Sequence, residues 1–265
     1  MADPPSHRAL NFTIAGQVAS ATFARPDQRN SLSEEALDDI GDVLRSVQAN
    51  GTIRVLVLGG EGDAFSSGLD DDLLERGYAD PEYFEHVLTR LAATCFSLES
   101  LDVPVIAKVG GLAVGAGLEL ALACDVIVAA TDARLGDGHL SAGTVPGGGA
   151  SARLPRRVGI QRARELIYSG RTLSGEEAAS IGLVLCAVPA PELDAVTQAL
   201  AASFADKPRI ALATAKRQIN RAVGVDTPTG VEQERRELIR YLREAPGEAK
   251  EGLRARREGR SAAWS

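Results

Sequence analysis

The sequence predicts an α/β fold, in which strands joined by helical crossovers build a sheet and a helical region closes the chain. Three observations predict it. Strand-like and helix-like patterns alternate through the first 150 residues. Ile53 to Leu58 reads as one apolar strand, the pattern of a strand covered on both faces. After Ala150 the pattern turns mainly helical.

In order, residues 1–8 are expected to form a disordered tail. Leu10 to Ile14 and Val18 to Phe23 alternate around Gly16-Gln17, which predicts a β-hairpin. Ser33-Glu34-Glu35 opens a helix through about Gln48, with Leu37, Ile40, Val43, Leu44 and Val47 on one face. Gly59 to Gly62 end the Ile53–Leu58 strand, and Phe65 to Asp70 lead into a helix. Residues 81–100 are helical. Pro104 to Val109 is strand-like, Leu118 to Ala123 an apolar helix and Asp125 to Ala130 a strand. Ala152 to Arg157 and Ile160 to Tyr168 are short helices, and Ser174 caps another that ends at Gly182. Leu183 to Val188 is a last strand. Pro191 to Phe204, Pro208 to Val223 and Thr229 to Arg243 are amphipathic helices, followed by a basic segment from Lys250 to Arg260.

Composition bounds the function. With 45% hydrophobic and 25% charged residues in 265, the chain has the make-up of an ordinary globular protein. A net charge of −7 argues against nucleic acid or an anionic membrane as partner. No apolar run approaches the ~20 residues of a membrane span, and Met1 to Arg8 does not read as a signal peptide. Cys95, Cys124 and Cys186 lack metal-ligand spacing and read as reduced core thiols, which predicts a cytoplasmic protein without a metal site.

The chemistry concentrates between Lys108 and Ala150. Glu119 is the one ionisable residue in an apolar helix, so burial should raise its pKa toward values useful for proton transfer. His139 stands in the glycine-rich run from Gly136 to Gly149. Glycines before a helix let backbone N–H groups approach a ligand closely and stabilise an oxyanion. Gly115-Ala116-Gly117 is a poor dinucleotide fingerprint, because Leu120 occupies the place of the third glycine. Glu119 as a structural partner of an Arg, and His139 as an ordinary loop residue, are the plainer readings.

Five segments in register carry a resemblance: Ala24-Arg25-Pro26 with Asn30-Ser31-Leu32; Ala64 to Asp70; Pro104 to Ala107 with Ala113 to Leu120; Cys124-Asp125; and Gly143 to Gly149 with Arg171 to Ala178. Through them the chain resembles the crotonase superfamily, the enoyl-CoA hydratase/isomerase family. The resemblance implies a ββα spiral core over residues 9–195 and a helical trimerisation region over 196–265, in a homotrimer or hexamer. It implies an acyl-CoA substrate of fatty acid metabolism, no cofactor beyond the CoA of that substrate, and a thioester enolate held by the backbone N–H groups of Leu69 and Ala116. Arg25, Arg29, Ser67, Gly68, Asp70, Gly115 and Gly147 fall at substrate- or CoA-binding places.

The chain departs from the family pattern twice. Glu119 falls at the first catalytic glutamate, but His139 stands at the second, which converts a two-carboxylate site into a Glu/His acid–base pair. Where the family often places CoA-binding lysines, this chain has Asp27, Asp72 and Gly259, and Asp70, Asp71 and Asp72 cluster beside the expected CoA entrance. Arg25, Arg29, Arg257 and Arg260 are candidates to offset that charge; in the plainer reading the aspartates simply favour a helix start. His139 also resembles a CoA-independent branch, the β-diketone hydrolases such as 6-oxocamphor hydrolase, although Gly148 replaces the Asp of their dyad. A diketone-cleaving hydrolase or tailoring enzyme, and a non-catalytic acyl-binding homologue, are therefore the alternatives.

Overall fold

The computed structural model describes residues 9–264; the expected tail over residues 1–8 lies outside them. The chain begins with the hairpin of β1 (Leu10–Ala15) and β2 (Val18–Phe23), paired in the register Leu10–Phe23. Helix α1 (Glu34–Ala49) follows, capped by the Ser33 side chain, which accepts from the Ala36 N–H at 3.2 Å. Its buried face includes Leu37, Ile40, Val43, Leu44 and Val47, the stripe that the 3.6-residue period predicts.

Strand β3 (Val55–Gly60) starts two residues later than expected. Arg54 leaves the strand to donate to the carbonyls of Ala205, Lys207 and Trp264. Three elements follow, namely β4 (Ala64–Ser66), α2 (Asp71–Ala79) and α3 (Pro81–Ser100). The next turn of chain repeats the pattern with β5 (Val105–Val109), β6 (Leu112–Val114) and α4 (Ala116–Ala123). Strands β7 (Val126–Ala130) and β8 (Arg134–Gly136) lead to α5 (Ala150–Val158) and α6 (Ile160–Ser169). After these come β9 (Leu173–Ser174), α7 (Gly175–Ser180), β10 (Cys186–Val188) and α8 (Leu193–Ala205). Three helices close the chain: α9 (Arg209–Ala222), α10 (Thr227–Glu244) and α11 (Pro246–Glu258).

The strands form two sheets rather than the single sheet read from the sequence. One holds β1-β2-β3-β5-β7-β10, parallel beyond the first hairpin, and the other β4-β6-β8-β9. Three successive turns, β3 with β4, β5 with β6 and β7 with β8, each lay a longer strand in the first sheet and a short one in the second. The short strands span only two or three residues, below the length at which alternation can be recognised. The basic segment from Lys250 to Arg260 turns out to be mostly helix α11, just past which Arg260 folds back onto Glu251 and Glu258.

The core lies between the sheets and α1, α3 and α4, with Phe23 and Phe65 meeting edge to face at 5.7 Å. All eight residues of α4 are buried, so Glu119 sits inside protein rather than on a surface. Cys95 and Cys124 are buried free thiols, as expected; burial pushes Cys95 up to about 12 and Cys124 upward as well. Cys186 departs from that expectation, because β10 is the edge strand of its sheet and leaves the thiol only partly buried.

Candidate active site

Three loops converge where α2, α4 and the β8–α5 connection meet. The first carries Gly68-Leu69. Asn30, 1% exposed, donates to the carbonyls of Glu61 and Ala64 and so ties the Arg25–Asn30 loop to β4. The Leu32 N–H then donates to the Gly68 carbonyl at 2.7 Å, and the Asp70 N–H returns to the Leu32 carbonyl at 3.2 Å. In such a parallel bridge the N–H of the middle residue, Leu69, points away from Leu32. Asp70 caps α2 through the Leu73 N–H at 2.9 Å.

The second loop carries Gly115-Ala116, at the start of α4, where first-turn N–H groups have no partner within the helix. The two loops touch. A methyl placed on Gly68 would lie 3.2 Å from the Val114 carbonyl oxygen and 3.3 Å from the Ala116 nitrogen, and Gly68 has φ +99°, which side chains rarely adopt. Gly68→Ala is therefore expected to push the loops apart and lower kcat by up to about 10²-fold, as a 1 Å misplacement does. Steady-state rates alongside an unchanged far-UV spectrum check this.

Glu119 projects from the first turn of α4. Its Oε1 accepts from the backbone N–H groups of Gly148 at 2.9 Å and Ala150 at 3.0 Å. Burial pushes its carboxyl above the usual carboxylate range, while these two donors and the nearby His139 pull the other way. An Arg partner is not what holds it: Arg153 pairs with Glu99 at 2.7 Å and braces the loop by donating to the Gly148 carbonyl at 2.9 Å. Gly148 itself leaves room for Glu119, since a methyl there would sit 2.4 Å from its Oε2.

His139 lies across the cavity, half-buried at the start of a short 3-10 turn, Leu140–Ala142. Its Nδ1 is 3.0 Å from Asp137 Oδ1, a contact that sequence reasoning missed. Burial disfavours the imidazolium, but the Asp137 hydrogen bond and charge, with the charge of Glu119, outweigh it and raise the imidazole above its ordinary value. Asp137 was legible only as an acid two residues before a candidate His, a spacing without a known meaning.

Leu69, Ala116, Glu119 and His139 line one cavity of about 220 Å³, together with Ser67, Gly68, Gly115 and Gly147. Its apolar wall is Leu74, Tyr78, Phe84, Leu88, Leu91 and Val145. Arg25, Arg29 and Asp70 lie outside it, in an adjoining polar cleft of about 590 Å³ with Asp27, Asp71 and Asp72. Arg25 donates to Ser33 Oγ at 2.8 Å and to Gln28, and the Arg29 carbonyl accepts from the Ser67 N–H at 3.0 Å. The structure thus sets Leu69, Ala116, Glu119 and His139 around one cavity, and Arg25, Arg29 and Asp70 in the adjoining, more acidic cleft.

A family model for enoyl-CoA hydratase/isomerase matches residues 13–265. The chain belongs to that family, the crotonase superfamily. Among curated relatives, YngF of Bacillus subtilis (strain 168), named for the enoyl-CoA hydratase/isomerases, is 35% identical over 258 residues, 97% of this chain and 98% of its own. Among solved structures, an enoyl-CoA hydratase from Bacillus anthracis superposes with a TM-score of 0.92 at 34% identity, covering 97% of this chain and 99% of the other. One from Polaromonas sp. JS666 gives 0.91 at 30% identity, over 97% and 99%. The two-sheet spiral is accordingly the crotonase fold, and the protein is an enzyme of the crotonase type.

Proposed function

We propose that the protein acts on an acyl-CoA thioester, with hydratase- or isomerase-type chemistry through an enolate. The observation that supports this reading is that Glu119, His139, Leu69 and Ala116 line one largely apolar cavity. In this reading the thioester carbonyl accepts from the two N–H groups, each worth ~3 kcal/mol as charge develops on oxygen. Glu119 and His139 then exchange protons with water or with the carbons beside the carbonyl. In hydration, one group takes a proton from water as its oxygen bonds to the β-carbon. The π electrons move onto the carbonyl oxygen, the other group protonates the α-carbon, and the excess proton returns between the two. The small cavity suits a short or branched acyl group.

Arg25 and Arg29, with Ser67 and Asp70, border the cleft assigned to the CoA moiety. The helices of residues 196–265 would meet other subunits of a trimer, since Val231, Leu238, Ile239 and Leu242 are exposed on α10. The free core thiols accord with a reducing, cytoplasmic setting. Calorimetric titration with CoA at low and moderate salt tests the substrate class. Each aspartate at the mouth acts on a phosphate with ~1 kcal/mol or less. Micromolar binding that weakens with salt is expected if the arginines prevail, whereas no binding at millimolar CoA would remove the thioester reading.

The Asp137–His139 contact favours a second reading, a CoA-independent C–C hydrolase acting on a β-diketone. The carboxylate beside the imidazole comes from Asp137 rather than from position 148, where Glu119 fills the space. Turnover of a cyclic 1,3-diketone without CoA would move the assignment there.

A further inference from the structure

Resting on the acid–base role proposed for His139, we infer that Asp137 is the positioning residue of this site, fixing the imidazole with Nδ1–H turned to the carboxylate and Nε2 turned to the cavity. The geometry points there from three sides. Asp137 is fully buried, and its Oδ1 stands 3.0 Å from His139 Nδ1. Its Oδ2 is buried and has no hydrogen-bond partner among the described residues, so the carboxylate meets His139 on a single oxygen. On the other edge of the ring, Nε2 lies toward Gly115, which lines the cavity with it: a methyl built on Gly115 would lie 3.9 Å from Nε2.

The backbone holds this arrangement in place. The Gly115 N–H donates to the Asp137 carbonyl at 3.0 Å, so one residue anchors both the Ala116 turn and the imidazole. Gly138 between them has φ +70°, which reverses the chain and turns both side chains onto the same contact. The β6–β8 pairing, Val114 opposite Gly136, sets the register of the two segments.

A carboxylate accepting from Nδ1–H leaves the Nε2 lone pair free to take a proton, and it stabilises the imidazolium that results. This divides the labour between the two proton-transfer groups. His139 removes one proton through Nε2, and Glu119, whose carboxyl burial pushes above the usual carboxylate range, transfers the other. The Asp–His pair of the serine-protease triad follows the same logic, and there an Asp-to-Asn change selects the wrong tautomer. The charged groups acting on the His139 ring are Asp137 from its own loop and Glu119 from α4.

The test labels histidine with ¹⁵N and reads the ring nitrogens by NMR, with His139→Gln assigning the signal among the three histidines. The wild-type protein at alkaline pH is expected to show neutral His139 protonated on Nδ1. Asp137→Asn is expected to lower the titration midpoint, to raise the share of the Nε2–H form, and to reduce kcat by about ten- to a hundredfold with little change in KM. A wild-type ring protonated on Nε2, or an Asp137→Asn protein with an unaltered tautomer and titration, would overturn the inference. The tautomer and titration readouts need no substrate. Should they appear while His139→Gln retains full turnover, the positioning stands and the catalytic role of His139 falls.

Discussion

Glu119→Gln is expected to lower turnover by about 10²–10⁴-fold, the usual contribution of a general acid–base group. The substitution is nearly isosteric, and the amide oxygen can still accept from the Gly148 and Ala150 N–H groups that Oε1 engages. What it loses is the ionisable carboxyl proton. Stability should move in the opposite direction as pH rises. Burial raises the folded-state pKa of Glu119, so its neutral form stabilises the fold below the unfolded value of ~4.5, and that contribution is lost as pH climbs through the folded value. Gln cannot ionise and escapes this loss. Thermal melts should therefore show the variant gaining on wild type from acid toward neutral pH, while initial rates collapse. Unchanged turnover at saturating substrate would remove Glu119 from the chemistry, and a large fall in Tm without a rate effect would make it a structural carboxylate.

The two halves of this site were not equally legible in the sequence. Glu119 was readable because a lone carboxylate among Leu118, Leu120, Ala121 and Leu122 contradicts its surroundings, and the contradiction has a chemical meaning. The long strands and α1 were readable because periodicity and the Ser33 cap agree. The second sheet was not, since β4, β6 and β8 are three residues long and their pairing is a tertiary fact. Asp137 was missed for a similar reason. Its meaning depends on the turn at Gly138 that folds it back onto His139, and on burial that composition does not foretell. The acidic run Asp70 to Asp72 was readable in both of its senses: Asp71 and Asp72 sit in the first turn of α2, and all three border the cleft.

Asp125→Ala is expected to destabilise the protein by about 3 kcal/mol or more, the low end of the cost of stranding one member of a buried ion pair. Asp125 Oδ2 accepts from the Val105 N–H at 2.7 Å and from Lys216 Nζ at 2.8 Å. Lys216, on α9, also donates to the carbonyls of Leu98 at 2.8 Å and Val103 at 3.1 Å. This contact pins the C-terminal helices to the end of α3 and the start of β5. The pair is asymmetric, because the Lys216 side chain is 6% exposed and that of Asp125 25%. Removing Asp125 leaves the better-buried charge with two neutral carbonyls only. Lys216→Met leaves a carboxylate that retains the Val105 donor and some water, and should cost less. For a chain of this size the Asp125→Ala loss corresponds to a Tm lower by on the order of 6–12 °C. Replacing both residues by apolar ones should recover much of it, since such exchanges of whole ion pairs are often near neutral. Denaturant melts of the two single variants and the double variant measure the coupling directly. A loss below about 1 kcal/mol for Asp125→Ala would mean that water reaches Lys216 and that the C-terminal helices are held by their apolar contacts instead.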